Sequence, residues 1–242
     1  MSTLLKRLWV LGLTLAAACG GGGPAKATAP SLTSITVSGS DLLLTGQSEA
    51  FTAVDNTGSA VTTAWWGTDA PSIVTVDGPT GRVTAVGIGT ATVVAAQSGV
   101  RGTKTVRTLP NFTGTWSGQY EDTRCEATGG WADARACLND PWGDLGTGFI
   151  RMTFTQDRDT VSGRVSLLSP ETDISGGVST EGTLTFTGTA RNQVVNVEFA
   201  NVRFELSQNG EMTGTFEQVY TRPDFIGTYR VYDKLRTMHR SN

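Results

Sequence analysis

The sequence of 242 residues predicts an all-β protein, a β-sandwich followed by an antiparallel up-and-down β-barrel of about eight strands. Its composition, with 30 glycines and only 17% charged residues, favours many short strands over packed helices. In the first part, short apolar runs end at turn residues every ~8–12 residues, which is the spacing of a sandwich. In the second part, glycines recur between apolar residues and allow strands to bend into a closed barrel.

Charge and histidine content exclude several classes of function. The formal net charge is −3, and the longest run of basic residues is the pair Lys6 and Arg7, so we expect no nucleic-acid partner. His239 is the only histidine. Catalytic triads and histidine metal sites therefore cannot be assembled, and we expect no cofactor and no metal.

The N-terminal segment has the pattern of an export signal. Lys6 and Arg7 precede the apolar residues 8–15, and the small residues 16–18 lead to Cys19. This apolar run is too short for a membrane-spanning helix, so residues 1–18 are predicted to be a signal peptide. Residues 15–19, LAAAC, resemble a bacterial lipobox, which implies that Cys19 is acylated. The alternative is an ordinary signal peptide that ends near a cysteine.

Residues 19–30 are predicted to be a flexible tether. Four consecutive glycines and Pro24 follow Cys19, and such a segment cannot pack. Together with the lipobox resemblance, the tether predicts a protein of the bacterial cell envelope. It would be lipid-anchored to the membrane and extracytoplasmic, either periplasmic or surface-exposed.

The two remaining cysteines, Cys125 and Cys137, form an even pair. In an oxidising compartment such a pair predicts one disulfide. A metal site is the competing interpretation, but the further Cys or His ligands that zinc requires are missing.

Residues 31–108 divide into about seven short β-type runs, the number expected for a sandwich of two sheets. The predicted strands are residues 35–37, 42–44, 50–54, 64–66, 73–76, 82–86 and 91–95.

Two motifs of this part closely resemble the bacterial Ig-like domain of group 2. They are WGTDAPSIVTVD at residues 66–77 and GRVTAVGIGTATV at residues 81–93. The resemblance covers residues 31–108 and implies an Ig-like spacer or adhesion module with Trp66 in its core and no catalytic residue. Trp65 points the opposite way along the strand, and we expect it to be half-buried under a loop rather than an exposed contact residue.

Residues 111–242 repeat the pattern apolar, x, Gly, x, apolar. At a period of two, each glycine lies on the inner face between two core residues, where it permits strong bending. The repeats are centred on Gly114, Gly163, Gly188, Gly214 and Gly227.

The longest apolar stretch, residues 194–206, changes phase. Its apolar residues occupy odd positions up to Phe199 and even positions from Val202. We therefore predict a bulge or tight turn near Ala200 and Asn201 that switches the register. Residues 208–210 and 181–182 are predicted hairpin turns.

The opening of this part, FTGTWSG at residues 112–118, is similar to the first strand of lipocalin-type and avidin-type barrels. The similarity implies a tryptophan that plugs one end of the barrel, and it transfers no ligand-binding residue. An eight-stranded barrel is either filled by side chains or holds one small ligand. The bulky residues predicted to face inward favour filling, and they are Trp116, Phe154, Phe186 and Phe216.

The segment 121–145 is predicted to be a long loop that the disulfide closes. Trp131 and Trp142 lie among its acidic residues and are candidates for carbohydrate or peptide contact. Asp140 and Asp144 are further candidate contacts and possible calcium ligands. The alternative is a lid that packs on the barrel end, with both tryptophans as its plug.

These features predict a non-catalytic, lipid-anchored envelope protein in which the Ig-like module presents the barrel. The expected partner is an envelope or surface glycan or protein. One alternative is a lipocalin-like binder of a small ligand. A less favoured alternative is a carbohydrate-active hydrolase that uses loop carboxylates. The basic tail at residues 234–240 is expected to be a solvated end.

Overall fold

The computed structural model describes residues 31–138, 146–167, 171–191 and 194–241. The predicted signal peptide and tether, with the acylation candidate Cys19, lie outside the described residues. Asp140, Trp142 and Asp144 of the predicted loop lie outside them as well. Residues from Leu32 onward form one compact unit.

The first part of the chain, residues 35–109, forms three sheets and is called the sandwich below. Strands β2, β9, β8 and β5 form one sheet in that order, β3, β7 and β6 form a second, and β1 pairs with β4. The strands are β1 (Ile35–Ser38), β2 (Leu42–Leu44), β3 (Ser48–Ala50), β4 (Thr52–Asp55), β5 (Trp65–Thr68), β6 (Val74–Val76), β7 (Arg82–Ala85), β8 (Gly89–Gln97) and β9 (Val100–Leu109).

The two neighbouring tryptophans of β5 lie on opposite faces of its sheet. Trp66 is buried in the sandwich core, as the sequence predicts. The expectation that Trp65 is half-buried under a loop is wrong, because its side chain is 62% exposed. Gly67, on the same face of β5, has no side chain to hold the indole away, so the ring lies against it.

Strand β9 was not predicted from the sequence. Basic and threonine residues occupy much of it, and only a few of its side chains, such as Val106, are apolar and buried. The composition of β9 does not indicate a strand. The segment forms one because it pairs with β8 along all of β8, from Gly89 to Gln97.

The second part, residues 114–241, forms a closed antiparallel barrel in which each strand pairs with the next and β17 pairs with β10. This confirms the predicted all-β class and the up-and-down barrel. The elements are β10 (Gly114–Ala127), α1 (Gly130–Asp133), β11 (Thr147–Asp157), β12 (Thr160–Ser166), β13 (Thr172–Val178), β14 (Leu184–Arg191), β15 (Asn196–Leu206), β16 (Met212–Arg222) and β17 (Phe225–Ser241).

Large apolar side chains fill the barrel interior. Inward residues from every strand form one continuous core cluster, as expected for a barrel whose strands alternate between inside and outside. The bulkiest members are fully buried, and they are Trp116, Phe112, Phe154, Phe204 and Phe216.

The repeated glycines occupy positions where strands approach each other closely. Gly163 lies between the buried residues Val161 and Val165, and a Cβ at this position would collide with the backbone oxygen of Thr153 on β11. The prediction that these glycines lie on the inner face, between core residues, is confirmed here. Without a Cβ the strand can coil tightly enough to close a small barrel.

The predicted change of phase in β15 is confirmed. Phe199 and Val202 are both buried, although they are an odd number of positions apart. The pairing with β16 shifts between Ala200 and Arg203, and Asn201 between them has a left-handed φ of 48°. Asparagine tolerates this conformation better than most residues, so the bulge switches the inward face at low cost.

Two sequence expectations need correction. The basic tail is not a solvated end, because β17 continues to Ser241 and closes the barrel against β10. Its buried residues Leu235 and Met238 are three positions apart across a register shift, and this spacing hides the strand from a search for period two. The predicted loop at 121–145 also begins later, because β10 extends through Ala127.

The sandwich and the barrel share one core. Leu42, Leu44 and Leu109 of the sandwich belong to the same buried cluster as Phe112 and Trp116 of the barrel. Leucine side chains from β2 and β9 therefore close this end of the barrel, which we call the sandwich end.

Polar contacts also connect the two parts. Arg158 forms an ion pair with Asp41 at 3.0 Å, and the backbone N–H of Asn111 donates to Oγ1 of Thr45 at 3.2 Å. The side-chain amide of Gln156 donates to the backbone oxygen of Pro110 at 3.1 Å. The connecting segment is therefore held by both parts.

Candidate functional site

The opposite end of the barrel carries the disulfide. Cys125 near the end of β10 is bonded to Cys137, which follows α1, with 5.8 Å between the Cα atoms. The predicted pairing is therefore present in the structure. We call this region, with the start of β17 and the end of β16, the disulfide-closed end.

The segment between the two cysteines folds back onto β17. Gly129, just before α1, has a φ of 55° and lies so close to β17 that a Cβ would collide with the backbone oxygen of Ile226. The backbone N–H of Thr128 donates to the oxygen of Thr228 at 2.9 Å. These contacts position α1 and its tryptophan over the start of β17.

Trp131 belongs to an aromatic cluster. Its ring stacks on Tyr229 with centroids 5.5 Å apart and contacts Phe225 at 5.3 Å. Tyr229 in turn packs against Tyr220 of the paired strand β16 at 5.1 Å. This packing agrees with the alternative in which Trp131 belongs to a packed lid, and a role of Trp131 in ligand contact stays a prediction.

The indole of Trp131 is only partly accommodated by this packing. Its Nε1 atom is buried and has no hydrogen-bond partner among the residues that the structure describes. A buried indole N–H usually donates to a polar group, so Trp131 departs from this pattern among the described residues.

Below the aromatic cluster, a polar chain crosses the inner faces of β16 and β17. The hydroxyl of Tyr220 donates to Oε1 of Gln218 at 2.7 Å, and Nε2 of Gln218 donates to Oδ2 of Asp233 at 3.1 Å. Asp233 is only 2% exposed. Asp122 of β10 is its direct partner in the register that closes the barrel.

This arrangement changes the acidity of Asp233. Burial first, and then the neighbouring Asp122 carboxyl, raise the pKa of Asp233 to about 9, whereas the hydrogen bond from Gln218 lowers it. Two carboxylates side by side in a poorly solvated site cannot both ionise easily. Asp233 therefore holds a proton at neutral pH.

The acid pair has two carboxyl groups and belongs to no larger cluster of metal-ligating side chains among the described residues. The described part of the chain contains no group of three or more His, Cys, Asp or Glu side chains able to hold a metal ion. Oδ1 of Asp233 is buried without a hydrogen-bond partner among the described residues. A protonated carboxyl at this position is a hydrogen-bond donor, and it is not a strong nucleophile.

Sequence reasoning did not find this polar pair. Asp233 lies at an inward position between the buried residues Val231 and Leu235. The alternation of these apolar residues is the sequence signal that indicates an inward aspartate. Asp122 lies within the predicted loop at 121–145, so the sequence gives no indication of its place on the inner face of β10. The pairing of the two joins residues far apart in sequence and depends on barrel closure.

Exposed apolar side chains accumulate at the same end. Ile226, the second residue of β17, is 90% exposed, and Leu138, after the disulfide, is 76% exposed. Phe149, near the start of β11, is also exposed. Single exposed apolar residues are common on protein surfaces, whereas a contiguous exposed apolar patch is typical of a contact surface.

No model of a known protein family matches the chain, and no curated protein sequence matches it. Among the described residues, no helix has the length and apolar character needed to cross a membrane.

Proposed function

We propose that this protein is a non-catalytic, lipid-anchored protein of the bacterial cell envelope. In this proposal the sandwich is a spacer or adhesion module, and the disulfide-closed end of the barrel contacts an envelope or surface glycan or protein. The anchor is acylated Cys19, followed by the tether at residues 19–30.

The difference between the two barrel ends is the observation that carries this proposal. At the sandwich end, Leu42, Leu44 and Leu109 continue the barrel core, so this end is occupied by the protein itself. The other end presents Trp131 and exposed apolar residues such as Ile226. This difference supports the proposal that partner contact occurs at the disulfide-closed end.

The disulfide of the barrel is consistent with export. Cys125 and Cys137 are bonded, and structural disulfides persist mainly in oxidising compartments. The bond fixes the segment that carries Trp131, and a rigid aromatic residue supplies contact area at low entropy cost.

A surface role is favoured over a ligand carried inside the barrel. Trp116, Phe154 and Phe216 occupy the interior with almost no exposed surface, so they fill the volume that a lipocalin-like ligand would need. Catalysis is not favoured either, because Asp233 is held protonated beneath the aromatic cluster rather than placed in an open cleft.

The anchor is tested by expressing the protein in a bacterium with a metabolic fatty-acid analogue. We expect labelling and membrane partition of the wild type, and loss of both in Cys19→Ser. Labelling that persists in Cys19→Ser would disprove acylation at this residue.

The contact surface is tested on purified protein with arrays of envelope and host-surface glycans. We expect Trp131→Ala to lose glycan binding, while Trp65→Ala, which alters the exposed tryptophan of the sandwich, retains it. The thermal midpoint is measured for both variants. A large loss of stability in Trp131→Ala with unchanged binding would identify Trp131 as a packing residue only.

A further inference from the structure

A cleft separates the sandwich from the barrel on one side of their junction. Its volume is about 510 Å³, within the range of roughly 300–1,000 Å³ typical of small-molecule sites. The turn between β7 and β8 forms one wall, and the hairpin between β15 and β16 forms the other. We call this space the junction cleft.

The lining of the junction cleft is apolar on the sandwich side. Val86 and Ile88 line the cleft and are 50% and 40% exposed. Leu206 of β15 contributes to the opposite wall. Two aliphatic side chains left half-exposed beside a concave surface form a patch that an apolar group can cover.

One positive charge lies in this lining. Arg240 is the only charged residue among the residues that line the cleft. Its guanidinium lies 4.8 Å from the centre of the Trp116 ring, and its Nη2 donates to the backbone oxygen of Asn111. These two contacts hold the side chain in place, and partial burial lowers the pKa of Arg240 from its usual value.

Arg240 has no carboxylate partner within ion-pair distance in the described part of the chain. Several other arginines of the barrel do have one, such as Arg158, Arg222 and Arg230. A guanidinium has five N–H donors in a planar fork that matches a carboxylate. A fixed arginine with unused donors beside an apolar wall is thus complementary to an anion that carries an apolar group.

We propose that the junction cleft binds a small carboxylate with an apolar body. The carboxylate pairs with the guanidinium of Arg240, and the apolar body covers Val86, Ile88 and Leu206. A single cation suits a monoanion better than a phosphate dianion. This proposal goes beyond the contact role of the disulfide-closed end and does not depend on it.

Octanoate is a suitable probe, with octanol as the neutral analogue of equal chain length and acetate as the anion without an apolar body. Binding to the purified exported protein is measured by calorimetry and by amide shifts in NMR spectra. We expect saturable octanoate binding that shifts Ile88 and Ser207, and dissociation constants at least about tenfold weaker for octanol and for acetate.

Two variants separate binding from folding. Arg240→Gln should weaken octanoate binding at least about tenfold, and Arg101→Gln, which removes an exposed arginine remote from the cleft, should leave it unchanged. Val86→Glu keeps Arg240 but adds a repelling carboxylate at an exposed position, so it should also weaken binding.

The proposal fails if octanol binds as well as octanoate, if acetate binds as well as octanoate, or if octanoate does not bind. It also fails if Val86→Glu retains wild-type affinity. Should Arg240→Gln unfold, as its thermal midpoint would reveal, Val86→Glu and the octanol comparison still decide the outcome. Loss of glycan binding in Trp131→Ala concerns the other end of the barrel and does not affect this result.

Discussion

The indole Nε1 of Trp116 donates a hydrogen bond of 2.8 Å to the backbone oxygen of Phe112, and both side chains are fully buried. This bond lies where the chain leaves the sandwich and enters the barrel. Leu109, also fully buried, belongs to the same core cluster. The connection between the two parts is therefore part of a packed core, and the two parts should unfold together.

The first prediction tests this shared core. Leu44 belongs to the sandwich but packs in the barrel cluster, so Leu44→Ala should lower the free energy of unfolding by about 2–5 kcal/mol. The NMR signals of the indole N–H groups of Trp116 in the barrel and Trp66 in the sandwich should report one coincident denaturant transition. Leu138→Ala is the matched control, since Leu138 is 76% exposed and its truncation should have little effect. Separate transitions for the two parts would contradict the prediction.

The second prediction concerns pH. The pKa of Asp233 is about 9 in the folded protein and about 4 in an unfolded chain, so between these values the folded state binds one proton that the unfolded state releases. The contribution of protonated Asp233 to the free energy of unfolding is therefore complete below pH ~4. It is lost as the pH rises towards ~9, by up to about 1.4 kcal/mol per pH unit.

Asp233→Asn removes this proton uptake while an amide oxygen still accepts from Gln218. We expect the variant to be more stable than the wild type at pH 8, with the difference shrinking as the pH is lowered towards 4. Urea denaturation at several pH values measures it. Identical pH profiles for the two proteins would show that Asp233 does not hold a proton in the folded state.

The third prediction concerns the disulfide. The bonded cysteines are 12 residues apart in sequence, and closing a loop of this length stabilises a protein by about 3 kcal/mol in the chain-entropy model. The double variant Cys125→Ser with Cys137→Ser should lose about this much in denaturant unfolding. Peptide mapping of exported wild-type protein without reductant should recover the linked pair, and two free thiols there would refute the bond.

The fourth prediction tests the close approach at Gly163. A Cβ at this position collides with the backbone oxygen of Thr153, so Gly163→Ala should destabilise the barrel by about 1–3 kcal/mol or more. The adjacent Ser162 points outward and is exposed, so Ser162→Ala is the control and should be nearly neutral. Equal thermal midpoints for the two variants would show that the strands can separate without cost.

Local chemistry made a large part of the fold predictable. The apolar, x, Gly, x, apolar pattern around Gly163 covers only five residues. It indicates which side chains of the strand face inward and that the strand bends there. The phase change between Phe199 and Val202 requires a bulge wherever the strand is placed, because side chains alternate along any strand. The pairing of Cys125 with Cys137 likewise follows from the number of cysteines and the predicted export, without reference to the fold.

Tertiary structure decided what depends on register between distant segments. Strand β17 pairs with β10, which lies more than a hundred residues earlier in the chain. This pairing places Asp233 opposite Asp122, and through it the basic tail forms the strand that closes the barrel. The exposure of Trp65 and the position of Arg240 over Trp116 also depend on which surfaces meet. A residue's own chemistry fixes its preference for strand or turn, whereas its burial and partners follow from barrel closure, which no short stretch of sequence encodes.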